Sequence, residues 1–139
     1  MYTKQFPKSL FIFIFLILVL QTLAIIFYWY WRIPWFDIFM HFLGGVWVGM
    51  SVLWLYLFSG KISSAGVHGR VRVFMTTVCA VFLIALLWEI FEYIIFVLIP
   101  HGMPYNMPDT LGDILAGVLG GAFAATLIPK QRLIIEKIP

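Results

Sequence analysis

The chain has 139 residues, enough for one domain, and 63% of them are hydrophobic whereas only 11% are charged. Because soluble domains carry roughly 25% charged residues, this composition excludes an ordinary water-soluble protein. The net charge of +3 comes from basic residues in short clusters beside apolar runs, a pattern that favours orientation in a membrane over nucleic-acid binding. We therefore expect an integral membrane protein surrounded by membrane lipids, with no nucleic-acid partner.

Four apolar segments predict membrane-spanning helices, since each reaches the length of about 20 residues that a span needs. Pro34 ends the first segment, because proline cannot continue a helix interior. Gly60, Gly66 and Gly69 predict turns between the second and third segments, and prolines interrupt the chain before the fourth. The predicted fold class is all-α, an integral membrane four-helix bundle that forms a single domain over residues 1–139. Its predicted spans are residues 9–31, 35–58, 73–99 and 109–128.

The basic residues predict the orientation of this bundle. The first span exceeds the roughly 7–15 apolar residues of a signal peptide, so we expect it to be retained. Four spans then place eight of the nine basic residues on one side and leave only Arg32 on the other. Since cytoplasmic loops are rich in Lys and Arg, both termini are predicted to be cytoplasmic, in the plasma or inner membrane. The eight are Lys4, Lys8, Lys61, Arg70, Arg72, Lys130, Arg132 and Lys137.

Aromatic residues cluster where the first span meets the predicted outer surface. Such amphipathic rings are enriched at the level of the lipid headgroups. The sequence therefore predicts an outer aromatic belt made of Tyr28, Trp29, Tyr30, Trp31 and Trp35.

The acidic residues are unusually placed, since five of the six fall within or at the mouth of predicted spans and only Glu136 lies in the tail. A carboxylate in hydrocarbon costs several kcal/mol, so the charges of these residues need a compensating partner. With one histidine they form three pairs spaced by three or four residues, which puts the members of each pair on one helix face. At a rise of 1.5 Å per residue, all three pairs lie within roughly 15 Å of the outer surface. The pairs are Asp37 with His41, Glu89 with Glu92, and Asp109 with Asp113.

Small residues continue the same helix faces towards the cytoplasm. Stripes of small residues let helix backbones approach closely in membranes, so the polar pairs are predicted to point into the bundle. The stripes are Gly45 and Gly49 after His41, Ala85 before Glu89, and Ala116, Gly120 and Ala124 after Asp113.

Carboxylates with one imidazole are ligand types that suit Zn, Mn, Fe or Mg. We therefore predict a divalent metal site with all six residues as ligands, Asp37, His41, Glu89, Glu92, Asp109 and Asp113, and with Glu89 and Glu92 as candidate catalytic residues. Simpler roles stay open at this stage. Asp109 would serve as a helix N-cap, Asp37 would favour a helix dipole, and His41 would form a packing hydrogen bond. Without metal, some of the carboxylates must be protonated.

A distributed motif links the last three predicted helices. It consists of Asp37, His41, Phe42 and Gly45, then Trp88, Glu89, Glu92 and Tyr93, then Asp109, Asp113, Gly117, Gly120 and Gly121. This series resembles the small VanZ-like and YjdF-like membrane proteins of bacteria and archaea. In those families an Asp-xxx-His pair opens one helix, Glu lies late in the next, and Asp opens the last helix before a glycine-rich run. The resemblance implies a role at the outer cell envelope.

Three functions are compatible with these patterns. The first is a metal-dependent enzyme that acts on a lipid or a lipid-linked phosphate near the outer leaflet. The second is a cation or proton pathway, for which intramembrane carboxylates are typical. The third is a structural or accessory envelope protein whose polar core is stabilised by an ion. The sequence is compatible with a homo-oligomer and leaves the metal, the substrate and the reaction open.

Overall fold

A computed structural model describes residues 8–58, 67–99 and 106–127 of the chain. Over these residues the secondary structure is helical without strands, which confirms the all-α prediction. The elements are α1 (Lys8–Ile26), α2 (Trp29–Arg32), α3 (Phe36–Phe58), α4 (Val67–Leu98) and α5 (Met107–Thr126).

Three of these helices, α1, α3 and α4, are long and apolar enough to cross a membrane, over Lys8–Ile26, Phe36–Tyr56 and Gly69–Leu98. The sequence predicts a fourth span at residues 109–128, where α5 forms with 20 residues. Two aspartates and several glycines make α5 less apolar than the other three. Its small residues are buried against neighbouring helices instead of facing outward. The four-span bundle and the cytoplasmic termini therefore stay predictions.

Two predicted boundaries are wrong. The first helix ends at Ile26 instead of residue 31, because Tyr28 adopts a left-handed backbone conformation with φ 58°. Neither glycine nor proline stands at this turn, so the usual signals for a break are missing. The helix predicted from residue 73 begins at Val67 and includes Gly69, which the sequence predicts to be a turn former. A helical glycine costs only about 1 kcal/mol, which the rest of a long apolar helix offsets.

Among the described helices, the tightest packing joins α3 to α5, and glycines make it possible. The backbone of Gly45 lies directly against the Gly117 carbonyl group, with no room for a side chain between them. One turn further along, a Cβ atom placed on Gly49 would lie 2.9 Å from the Cβ of Ala124. Gly120 meets the backbone of α3 just as closely. Within the predicted stripes, Gly45 and Gly49 of α3 and Gly120 and Ala124 of α5 are thus confirmed as part of the α3–α5 interface.

Helix α4 covers the other side of this pair. A Cβ atom placed on Gly117 would lie 3.4 Å from Ala85, and Val81, which is 1% exposed, packs against Gly121. Helices α3, α4 and α5 therefore form a three-helix unit, and each contributes one of the polar pairs.

Helix α1 is attached differently, since its main packing partners are α3 and α2. The Trp47 indole Nε1 donates a hydrogen bond of 2.9 Å to the Leu10 carbonyl oxygen. At the other end, Ala24 packs with Phe36 and Met40 in a small buried cluster. Since α1 has no comparably extensive packing with α4 or α5, a cleft runs between α1 and the three-helix unit.

Candidate carboxylate and histidine site

Helix α3 places Asp37 and His41 at the end of the three-helix unit where α5 begins. Asp37 lies in the first turn of α3, and His41 follows one turn later on the same face. The His41 Nε2 atom is 3.5 Å from Asp37 Oδ1, and the His41 side chain is 11% exposed. The imidazole is therefore oriented into the bundle by its own helix.

Helix α4 contributes Glu89 and Glu92, which lie in different environments. Glu89 is 6% exposed, and its Oε1 lies 3.7 Å from His41 Nδ1. Glu92 is exposed, and its Oε1 accepts a hydrogen bond of 2.8 Å from the Trp88 indole Nε1. The two ring nitrogens of His41 thus approach carboxyl groups on two different helices.

Helix α5 contributes Asp113, which is 3% exposed. Asp109 lies one turn earlier and is exposed. The alternative that Asp109 is the N-cap is wrong, because Asn106 occupies that position and Pro108 follows within the first turn. Its backbone N–H donates to the Asn106 carbonyl oxygen, so Asp109 already lies inside the helix.

Five of the six predicted ligands come together in two groups of three. In each group, every residue offers one ligand atom, and these atoms all lie within 4.8 Å of one another. We call Asp37, His41 and Asp113 the α5-side trio, and His41, Glu89 and Glu92 the α4-side trio. His41 belongs to both. Asp109 belongs to neither, although it lines the same cavity.

Two of these carboxyl groups have buried oxygens that lack hydrogen bonds. Within the described part of the chain, Glu89 Oε1 and Asp113 Oδ1 are shielded from solvent and find no hydrogen-bond partner. A buried polar atom left unsatisfied costs about 1–3 kcal/mol, and more if it is charged. The ion pairs that the structure describes for this site both involve His41. One imidazole cannot balance several carboxylates, so the site fits an additional cation or bound protons.

The polar groups line one part of a cavity of about 800 Å³ between α1 and the three-helix unit. Its other walls are apolar side chains of α1 and α4, among them Ile14, Leu18, Ile95 and Phe96. The cavity is therefore amphiphilic, because acidic side chains line it on the side of the three-helix unit and apolar side chains line the rest of the cleft.

Sequence reasoning missed four polar residues of this cavity, Gln21, Tyr30, Asn106 and Thr110. The Tyr30 hydroxyl donates a hydrogen bond to Gln21 Oε1, and burial together with the nearby Asp37 carboxyl group raises the pKa of Tyr30 to about 12. Gln21 was detectable as an amide inside an apolar span. Thr110, next to Asp109, carried no such signal.

The aromatic belt takes a different form from the prediction. Tyr28, Trp31 and Trp35 are each about 60% exposed, as a belt at the headgroups requires. Trp29 and Tyr30 instead pack inward, with ring centroids 5.4 and 5.2 Å from that of Phe36.

Several residues used in the sequence predictions lie outside the described residues. They are Lys4, Gly60, Lys61, Gly66, Lys130, Arg132, Glu136 and Lys137.

Comparison with known families found a family model that matches the chain. A family model described as "Predicted membrane protein (DUF2238)" matches residues 1–132. No match was found among curated proteins or among solved structures. The resemblance to VanZ-like and YjdF-like proteins stays a prediction from the motif. The match covers almost the whole length, including α1 to α5 and every residue of the candidate site. The chain therefore belongs to the DUF2238 family of predicted membrane proteins, and its apolar helices put it in a membrane.

Proposed function

We propose that this protein is a divalent-metal-dependent membrane enzyme that acts on a lipid or a lipid-linked phosphate. The observation that carries the proposal is the pair of buried, unpartnered oxygens, Glu89 Oε1 and Asp113 Oδ1, in a cluster with His41. Buried charges persist in proteins when they are paired or when they coordinate a metal. Cations held between α3, α4 and α5 would satisfy these oxygens.

The ligand types fit such an ion. Carboxylate oxygens with one imidazole nitrogen suit Zn, Mn, Fe or Mg. The residues that would hold metal converge from three helices and are Asp37, His41, Glu89, Glu92 and Asp113. A divalent ion supplies Lewis acidity towards a phosphoryl oxygen, which stabilises the charge that develops in phosphoryl transfer or hydrolysis.

Glu92 is the carboxylate best placed to move a proton. It faces the cavity from the exposed side of the α4-side trio, where a substrate or water molecule can reach it. The Trp88 indole, at 2.8 Å, fixes its Oε1 and leaves the second carboxyl oxygen available as a general base. Glu89 is more deeply buried and is oriented towards His41, so it serves as a ligand.

The shape of the cavity favours a substrate with a hydrocarbon chain. Its apolar walls belong to α1 and α4, two helices with no extensive contact, so the cleft between them can be entered from the side by a lipid tail. The headgroup would then lie beside the carboxylates. Together with the predicted orientation and the VanZ-like motif, this proposal puts the reaction at the outer leaflet of the plasma or inner membrane.

The proposal is tested on the full-length protein purified in detergent. Metal content is measured by mass spectrometry for wild type, Glu89→Gln and the matched control Glu136→Gln. Release of phosphate from phosphatidic acid and from a polyprenyl diphosphate in mixed micelles is measured alongside. We expect bound metal and phosphate release in wild type and in Glu136→Gln. Glu89→Gln should bind less metal and lose phosphate release, and Glu92→Gln should also lose phosphate release. A wild type without metal, or release that Glu89→Gln leaves intact, would refute the proposal.

One observation favours a second candidate, a proton or cation pathway. Asp37, His41 and Glu89 form a continuous series, with steps of 3.5 and 3.7 Å between neighbouring polar atoms. Towards the predicted cytoplasmic side, α4 continues with Thr77, which is fully buried. Proton flux into liposomes that is lost in Glu89→Gln, in protein that binds no metal, would support this candidate over the enzyme.

A further inference from the structure

We infer that the site holds two divalent cations, one in the α5-side trio and one in the α4-side trio, with His41 between them. The inference rests on the proposed metal dependence and adds the number of ions and their separate ligands. Five of the six predicted ligands thereby divide between two positions with His41 shared, and Asp109 is excluded from both.

The division follows from the geometry of His41. Its Nε2 atom faces Asp37 at 3.5 Å, whereas its Nδ1 atom faces Glu89 at 3.7 Å. The two nitrogens point away from each other across the imidazole ring, so a single ion can bind only one of them. One ion would therefore satisfy one trio and leave the other without its nitrogen ligand.

The spacing within each trio is close to that of ligands on a common metal. Two ligands at bond lengths of about 2.1 Å are at most about 4.2 Å apart. The ligand atoms of each trio already lie within 4.8 Å of one another. Small rotations of the side chains suffice to close the remaining gap.

Each trio also contains its own unpartnered buried oxygen. Asp113, whose Oδ1 has no hydrogen bond, belongs to the α5-side trio, and Glu89, whose Oε1 has none, belongs to the α4-side trio. The two residues are 3% and 6% exposed and come from different helices. Because each trio contains one residue with such an unsatisfied acceptor, a cation would stabilise each of the two positions.

Charge balance agrees with two ions. The two trios contain four carboxylates and one imidazole. Four ionised carboxylates and a His41 ring that gives both nitrogens to metal carry five negative charges. Two divalent cations offset four of these charges, whereas one cation offsets only two. A His41 ring that held both ions would give up its ring proton to solvent.

The test uses full-length protein in detergent, stripped with a chelator, reconstituted with Mn²⁺ and freed of excess ion by gel filtration. We expect two Mn²⁺ per chain in wild type and an exchange-coupled signal in electron paramagnetic resonance. Asp113→Asn and Glu89→Gln should each retain one uncoupled Mn²⁺, and His41→Ala should lose both positions. Glu136→Gln, with the same chemical change outside the site, should keep two.

The outcomes separate this inference from the proposed function. One Mn²⁺ per wild-type chain, lost in either single variant, would overturn the two-ion division and leave the metal-dependent enzyme intact. No Mn²⁺ in wild type, with no uptake of Zn²⁺ either, would overturn both. The wild-type stoichiometry and spectrum decide the question even where a variant fails to fold.

Discussion

The contact between Gly45 and Gly117 gives a sharp test of how packing positions the site. A Cβ atom on Gly45 would lie 2.8 Å from Gly117 Cα, and the Gly117 carbonyl oxygen is closer still. Ordinary carbon–carbon contacts are about 3.5–4.0 Å long, so α3 and α5 must separate by roughly 1 Å to admit an alanine. The obstructing atoms are backbone and cannot rotate away. Gly45→Ala should therefore reach the upper end of the cost of overpacking, about 3 kcal/mol.

The neighbouring Gly44 is the matched control, because a Cβ atom placed there meets nothing within 4 Å. Gly44→Ala should be neutral or should stabilise α3 by about 0.5–1 kcal/mol, since alanine is the better helix former. The same chemical change at adjacent positions should thus differ in unfolding free energy by about 3–4 kcal/mol.

The effect should extend to the metal site. His41 lies one turn before Gly45 on α3, and Asp113 lies one turn before Gly117 on α5. Separating the helices by roughly 1 Å therefore pulls the α5-side trio apart, whereas the α4-side trio does not include α5. Gly45→Ala should lose Mn²⁺ from the α5-side trio before it loses Mn²⁺ from the α4-side trio.

Thermal unfolding in detergent, followed by circular dichroism, measures the stability difference. A loss of about 3 kcal/mol should lower the midpoint by roughly 10 °C in Gly45→Ala. Midpoints of the two alanine variants that agree to within about 1 °C, with equal Mn²⁺ content, would show that α3 and α5 do not pack through these glycines.

Three further predictions concern hydrogen bonds around the cavity. Trp88→Phe removes the 2.8 Å bond to Glu92 and should weaken Mn²⁺ binding in the α4-side trio about tenfold, measured by titration calorimetry; unchanged affinity would show that the indole does not position this carboxylate. Tyr30→Phe leaves Gln21 without its hydroxyl donor and should cost about 1 kcal/mol of stability. It should also remove the ultraviolet transition near pH 12 that reports the ionisation of this phenol. Because the pKa of Tyr30 is raised from 10.0 to about 12, the phenol stabilises the fold below pH 10, and this contribution is lost as the pH rises through 12. The same transition in the variant would contradict the assignment. Trp47→Phe removes the 2.9 Å bond to α1 and should lower the unfolding free energy by about 1 kcal/mol, with Mn²⁺ content unchanged since α1 supplies no ligand; loss of Mn²⁺ would contradict this.

The sequence by itself determined the membrane class and the identity of the polar side chains that matter. Apolar runs of about 20 residues indicate a lipid environment, because a spanning helix must cross the hydrocarbon core. The observed α3 begins within one residue of its predicted start. The spacing of Asp37 with His41, and of Glu89 with Glu92, places each pair on one face wherever the chain is helical. Local periodicity is sufficient for statements of this kind.

Local turns were harder to predict. Tyr28 takes a left-handed conformation without glycine or proline at the turn, and Gly69 continues a helix instead of ending it. At Gly69 the rest of the long apolar helix offsets a propensity cost of about 1 kcal/mol. Gln21 and Tyr30 meet across that turn, so their contact could not be predicted while the first helix was expected to run straight through it.

Only the tertiary structure decided how the three polar pairs combine. Helical spacing fixes the face of a side chain on its own helix but not the rotation and separation of the neighbouring helices. These are set by the Gly45–Gly117 contact and by the packing of α4 against both. That packing brings Asp113 and Glu89 to opposite sides of His41, leaves Asp109 at the edge of the cavity, and opens the cleft beside α1. Ligand atoms must lie within a few ångströms of one another to share an ion, and such distances depend on contacts between residues far apart in the chain.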